Sequence, residues 1–385
     1  MANIKSIGIA DGMRFVNKYR SVALFGIAFS AVLYFMMMSL QLTNTFDGLW
    51  QQNYHHAGIV ELTSGRWLLP FIDKLDMGLH AEPIASLAAL FLFIVGFIFI
   101  LELFGIRSKL IGCLCLALFV SSAAVSNTLS YRFTSLGYSF AYLSAVLSVY
   151  TALRIKRRLI AVLTSGILLG LSMACYQAYL SVFCIVAVIY IYIYIYCGAS
   201  EHKAAEKRPV SDIILCLVCS LIVGAVFYVV PLFLLLKINH TALSSYNGIG
   251  GITPAGLVSA LPQNILKTYH YFGIYFLTDT LKTNRLQYFG AYNVLLLLFA
   301  VLTVLVGIKA WKVKKSRIIL PVLAALATPV ACNAYMLIAG DKLELQMAAG
   351  LAMLAPLIMI AAFSVIGEKR MPKAACVLFC VALVY

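Results

Sequence analysis

Apolar runs long enough to cross a bilayer alternate with short polar stretches along almost the whole chain. A transmembrane helix needs about 20 apolar residues. Segments that meet or approach this length lie at 21–43, 83–106, 110–127, 137–153, 159–176, 179–197, 213–236, 288–308, 318–339 and 349–366, and another begins at 374. The pattern predicts an all-α, polytopic integral membrane protein of about 10–11 spans, folded as one domain over 1–385. The stretch IYIYIYIYC at 189–197 alternates with the period of a strand. An open strand would leave its backbone groups unpaired in lipid, so a helix with tyrosines all round is expected, its hydroxyls meeting neighbouring helices or the interface. The final segment, CVLFCVALVY, is too short to span. Either it is a partial segment or the chain continues.

The distribution of charge orients these spans. Lys and Arg total 29 and the formal net charge is +15. Of those 29, 21 fall in the segments 1–20, 107–109, 154–158, 198–212, 309–317 and 367–373, although the alternate set of loops is much longer. Positive residues mark the cytoplasmic side. The N-terminus is therefore expected in the cytoplasm, with the long loops 44–82 and 237–287 outside. Basic residues clustered between apolar runs are not the one-faced array of a nucleic-acid binder, so no nucleic-acid partner is expected. The composition, 63% hydrophobic and 11% charged, excludes a soluble domain, in which about 25% of residues are charged. The first apolar run is too long for a signal-peptide core and no small-residue cleavage site follows it, so it reads as a span.

Polar chemistry gathers in the outer loops. In NTFDGLWQQNYHHAGIVELTSGRW (44–67), Phe46, Leu49, Trp50 and Tyr54 recur at helical spacing, with Asp47, Gln51 and His55 on another face. Farther on, Leu68, Phe71, Ile72, Leu75 and Leu79 form a stripe, with Asp73, Asp76 and His80 opposite. Such segments suit helices lying in the membrane interface and roofing a cavity between spans. Asp47 follows the first span closely. It can serve as the general base of a glycosyl transfer or as a favourable charge at a helix N-terminus. Arg66 and Trp67 can hold a phosphate and stack a sugar ring, or anchor the loop by snorkelling. Arg132 stands alone at an outer helix junction, and Gln177 lies between two spans with almost no loop. A buried amide needs a partner, so Gln177 either ties helices together or reaches into the cavity. The adjacent His55 and His56 diverge on a helix and do not form a metal pair. Cys216 and Cys219 lie inside an apolar span and read as small hydrophobes. No metal and no cofactor is expected. KTYHYFGIYF (267–276) reads as a further interfacial or re-entrant segment, followed by Asp279, Lys282 and Arg285 as acceptor contacts.

The early aspartate of the first outer loop, SGRW after it, SYRFTSLGYSFAYLSAVLSVY (130–150) and GILLGLSMACYQAYLSVF (166–183) together resemble the type II glucosyltransferase family (Gtr) associated with O-antigen modification. That family is similar to the wider GT-C class of multi-span glycosyltransferases. The resemblance implies a polyprenyl-phosphate-linked sugar donor, usually glucose, and an extracytoplasmic glycan acceptor in a bacterial inner membrane. It also implies a flippase and a donor synthase as companions. By the class pattern the catalytic acid is in the first outer loop, where Asp47 matches it. Gly48 stands where the class often has a second acid, which leaves open whether Asp73, Asp76 or Glu61 assists.

A second reading is a transporter or flippase of a lipid-linked saccharide. Transport paths place ionisable groups near mid-membrane, whereas here Glu102 lies near a span end and Asn333 is uncharged.

Overall fold

The computed structural model describes residues 9–42, 57–75, 81–198, 208–244, 254–277, 291–313, 315–338 and 342–366. Every regular element among them is helical. The chain opens with α1 (Ile9–Leu33) and α2 (Phe35–Ser39), and two short helices follow, α3 (Ile59–Thr63) and α4 (Leu69–Ile72). The bundle then continues through α5 (Ile84–Leu103), α6 (Lys109–Val120), α7 (Ala123–Ser130), α8 (Arg132–Arg154), α9 (Arg158–Cys175), α10 (Leu180–Gly198) and α11 (Val210–Ile238). It closes with α12 (Pro254–Leu277), α13 (Ala291–Val313), α14 (Ile319–Cys332), α15 (Ala349–Ala352) and α16 (Leu354–Ile366).

Seven helical stretches among the described residues are long and apolar enough to cross a bilayer, which makes this a polytopic membrane protein. They match seven of the expected spans. The expected span at 110–127 is instead the pair α6 and α7, bent by 52° at Ser121–Ser122. There the Ser122 hydroxyl caps α7 by accepting the Val125 N–H. The expected span at 318–339 is a 14-residue helix, α14, ended by Asn333 and a 3-10 turn over Ala334–Leu337. The expected span at 21–43 is instead the end of α1, which stops at Leu33, and the five-residue α2, and the segment from 374 lies outside the described residues. The stretch 267–276 belongs to one continuous helix, α12, of 24 residues.

The tyrosine-rich stretch is helical as expected, within α10. Tyr192 donates to Thr303 Oγ1 on α13 (3.4 Å), Tyr194 to the Arg208 carbonyl (2.7 Å) and Tyr196 to the Val365 carbonyl on α16 (2.8 Å). The alternating tyrosines thus bond α13, α16 and the connection that leads into α11.

The run α5, α8, α9, α11 is the core of the bundle, with α5 parallel to α8, α8 antiparallel to α9 and α9 parallel to α11. Small residues set the spacing of its last pair. A Cβ on Gly166 of α9 would lie 2.6 Å from Val223 Cβ on α11, and one on Gly170 would lie 3.0 Å from the Gly224 carbonyl oxygen. Two glycines four apart let the backbones approach as lipid-embedded helices commonly do.

The bundle has two chemically distinct ends. At one, Glu102 of α5 accepts from Lys18 and from the Tyr19 hydroxyl (2.7 Å), and Arg154 of α8 donates to the Glu102 and Leu103 carbonyls (2.8 and 3.1 Å). Arg158 pairs with Asp212 at 3.3 Å at the same end. The 23 residues of α8 then span about 35 Å, which puts Arg132 at the opposite end.

Candidate active site

At the Arg132 end, the segment 57–75 packs across the mouths of α8, α9 and α11. It folds as short turns and not as a long amphipathic helix. Glu61 accepts the Gly58 N–H at 2.6 Å and caps α3. Pro70 sits in the first turn of α4, a single helical turn continued by a 3-10 turn over Asp73–Leu75. The tighter winding changes which residues face inward. Leu69 and Ile72 are buried, Phe71 and Leu75 are exposed, and Asp73 is only 3% exposed. Its carboxylate accepts the Ala57 N–H at 2.8 Å, so Asp73 holds the two ends of the segment together.

Gly65 permits the turn that delivers Arg66 and Trp67. Its φ of +80° is in the left-handed region, and a Cβ there would lie 2.5 Å from both Gln177 Nε2 and the Tyr228 hydroxyl. Those two groups form the anchor of the segment. Gln177 Nε2 donates to the Ser64 carbonyl and to the Tyr228 hydroxyl, each at 2.9 Å. The Trp67 indole N–H donates to the Tyr228 carbonyl at 3.0 Å, and its ring is 8% exposed. Leu68 N–H donates to the Ala174 carbonyl at 3.0 Å. Gln177 and Trp67 therefore bind the segment to α9 and α11 in this structure.

Arg66 lies beside a pair of tyrosines. Its Nη1 donates to the Tyr138 hydroxyl at 3.0 Å, and its guanidinium carbon lies 4.8 Å from the Tyr176 ring centroid. The Tyr138 and Tyr176 rings stack at 4.1 Å between centroids and 9° between planes. A guanidinium held this way has its plane and fork fixed, which suits it to an anionic oxygen group.

Arg132, the first residue of α8, is 7% exposed. Its charge reaches Glu82, whose carboxylate accepts from the Ser86 hydroxyl at 2.7 Å. Burial pushes the Glu82 carboxyl above its ordinary pKa, an effect that the Ser86 hydrogen bonds and then Arg132 counter.

Arg66, Trp67, Asp73, Arg132 and Gln177 thus come to one end of the bundle. Asp47 and Asp76 lie outside the described residues, as do His55, His56, Asp279, Lys282 and Arg285. Among the described residues no three His, Cys, Asp or Glu side chains group as metal ligands. Tyr138, Tyr176 and Tyr228 escaped notice in the sequence because tyrosine is common in this chain. Their signal was a hydroxyl carried to the end of an apolar helix, where it must find a partner.

An all-helical bundle with spans of membrane length, carrying at one end a docked segment whose Arg66 packs on buried tyrosines, is the architecture of a polytopic membrane protein with a polar site at one end. The profile of Glucosyl transferase GtrII matches residues 44–362, and the chain belongs to that family of glucosyltransferases. No curated protein and no solved structure matches it.

Proposed function

We propose that the protein transfers glucose from a polyprenyl-phosphate donor to an extracytoplasmic glycan, an O-antigen or other cell-surface polysaccharide, with inversion at the anomeric carbon. The acceptor hydroxyl attacks that carbon, the bond to the phosphate oxygen breaks, and polyprenyl phosphate leaves. Asp47 takes the hydroxyl proton as general base. Arg66 and Arg132 stabilise the phosphate charge as it develops, and Trp67, Asp73, Asp76 and Gln177 line or hold the substrate site. The whole chain acts as one domain, with its N-terminus in the cytoplasm and this site on the outer face of a bacterial inner membrane.

The observation that carries this reading is the fixed Arg66 guanidinium at the end of the bundle opposite the Lys18–Arg154–Arg158 cluster. By the positive-inside rule the denser cationic end faces the cytoplasm. Connections there such as 155–157 are too short to hold a nucleotide-sugar domain, which favours a lipid-linked donor. Asp47→Asn should lower glucosyl transfer by roughly 100-fold or more while leaving the protein folded. Undiminished transfer by folded Asp47→Asn protein would remove the base assignment.

A further inference from the structure

Two tyrosine hydroxyls at this end, that of Tyr176 beside Arg66 and that of Tyr335, are buried and have no hydrogen-bond partner among the described residues. Both stand where a regular helix stops. α9 ends at Cys175, and Tyr176 is fully extended (φ −161°, ψ 113°) before a 3-10 turn over Gln177–Tyr179. That extension lays the Tyr176 ring on Tyr138 and against Arg66. Tyr335 lies in the 3-10 turn after α14, which packs on the Gln177–Tyr179 turn, and its N–H reaches Ser181 Oγ at 3.5 Å. Tyr176 is 2% exposed and Tyr335 7%, yet neither hydroxyl is paired among the described residues. A buried phenol left this way forfeits the hydrogen bonds that water gave it, so such groups call for an explanation.

A carboxylate acts on both hydroxyls. Glu344 accepts from Gln346 Nε2, and Gln346 Oε1 accepts from Asn127 Nδ2 of α7 at 2.6 Å. Two amides thus fix this carboxylate from the bundle wall. Glu344 and Arg66 both act electrostatically on the Tyr176 hydroxyl, and Glu344 and Tyr271 act on that of Tyr335. The cluster therefore brings together a guanidinium stacked on Tyr176, two phenols on adjoining 3-10 turns and a positioned carboxylate. A guanidinium matches a phosphate. Phenol hydroxyls, each donor and acceptor, and a carboxylate acceptor match the hydroxyl groups of a neutral sugar.

We infer that Tyr176, Tyr335 and Glu344 form the hexose subsite of the lipid-linked donor, with the donor phosphate at Arg66 and the far sugar hydroxyls at Tyr335 and Glu344. This rests on the transfer reading for the identity of the ligand. The sugar is assigned to the donor and not to the acceptor because the cluster includes a cation, held on Tyr176, that matches the charge of a sugar phosphate.

The test is binding to detergent-solubilised full-length protein of two probes, a short-chain polyprenyl phosphate with glucose attached and the same lipid phosphate without it. Tyr176→Phe, Tyr335→Phe and Glu344→Gln should each raise the Kd of the glucose-bearing lipid about ten-fold, the worth of one hydrogen bond to a sugar hydroxyl. The Kd of the bare lipid phosphate should stay within about two-fold in the same variants. Unchanged binding of both probes would overturn the inference, as would equal loss of both, the mark of a packing role. Unchanged donor binding with a raised KM for the glycan acceptor would move the sugar to the acceptor and overturn it too. Transfer is measured separately in the same preparations. Wild-type protein that binds the donor through these groups without transferring glucose keeps the inference and loses the proposed reaction. A transferring enzyme whose variants bind normally does the reverse.

Discussion

Gly65 shows at the scale of a residue how this site is assembled. Its left-handed φ turns the chain between Ser64, whose carbonyl Gln177 holds, and Arg66, which reaches Tyr138. A methyl group there meets Gln177 Nε2 and the Tyr228 hydroxyl, themselves hydrogen-bonded partners. Gly65→Ala should therefore cost about 2–4 kcal/mol, from the left-handed backbone plus a displaced hydrogen bond. A drop in the thermal midpoint of the detergent-solubilised protein, together with weaker donor binding, checks this. Of the dipeptide that follows, Arg66 and Trp67 stood out in SGRW, because charge is scarce here and a tryptophan beside it is unusual. What each side chain touches was not. Trp67 points its indole N–H at a carbonyl of α11, 161 positions along the chain, and no local spacing encodes that contact. Asp73 was placed on a polar face by a 3.6-residue period, and the 3-10 turn that buries it follows a proline whose effect such a period ignores.

At the scale of elements, the pair α9 and α11 carries the anchor. α11 contributes both the hydroxyl and the carbonyl of Tyr228, and α9 ends one residue before Tyr176. Their separation is set by Gly166, Gly170 and Gly224. Gly166→Ala puts a carbon 2.6 Å from Val223 Cβ, an atom fixed to the backbone that cannot swing aside. The helices must separate, at a cost of about 1–3 kcal/mol. The expected result is a lower thermal midpoint, with donor binding impaired although Gly166 lies two and a half turns from the site. The existence of these helices was plain in the sequence, since a bilayer-length apolar run has few alternatives. Their breaks were less plain. Hydropathy averages over Ser121–Ser122 and over Asn333, where a side chain or a turn ends the helix while the surrounding residues stay apolar. Those breaks shape the proposed hexose subsite, because Tyr335 and the α7 end bearing Asn127 both follow from them.

The whole molecule is polarised along the bundle axis. One end is closed by cations on backbone carbonyls and carboxylates, as Arg154 and Arg158 show. The other gathers Arg66 of the docked segment 57–75 with Tyr138 and Tyr176, and Arg132, Glu82 and Glu344 act at the same end. This polarity was visible in the sequence as an uneven distribution of Lys and Arg, and membership of the glucosyltransferase family gives it a chemical meaning. A carrier would pass its cargo between the two ends, whereas a transferase works at one of them. The decisive measurement uses proteoliposomes of the purified protein, given polyprenyl phosphate carrying labelled glucose together with an acceptor glycan. Label should appear covalently on the glycan when donor and acceptor share the face bearing residues 57–75, with no nucleotide sugar present. Labelled lipid that crosses the bilayer intact, with no label on the glycan, would contradict the transfer reading.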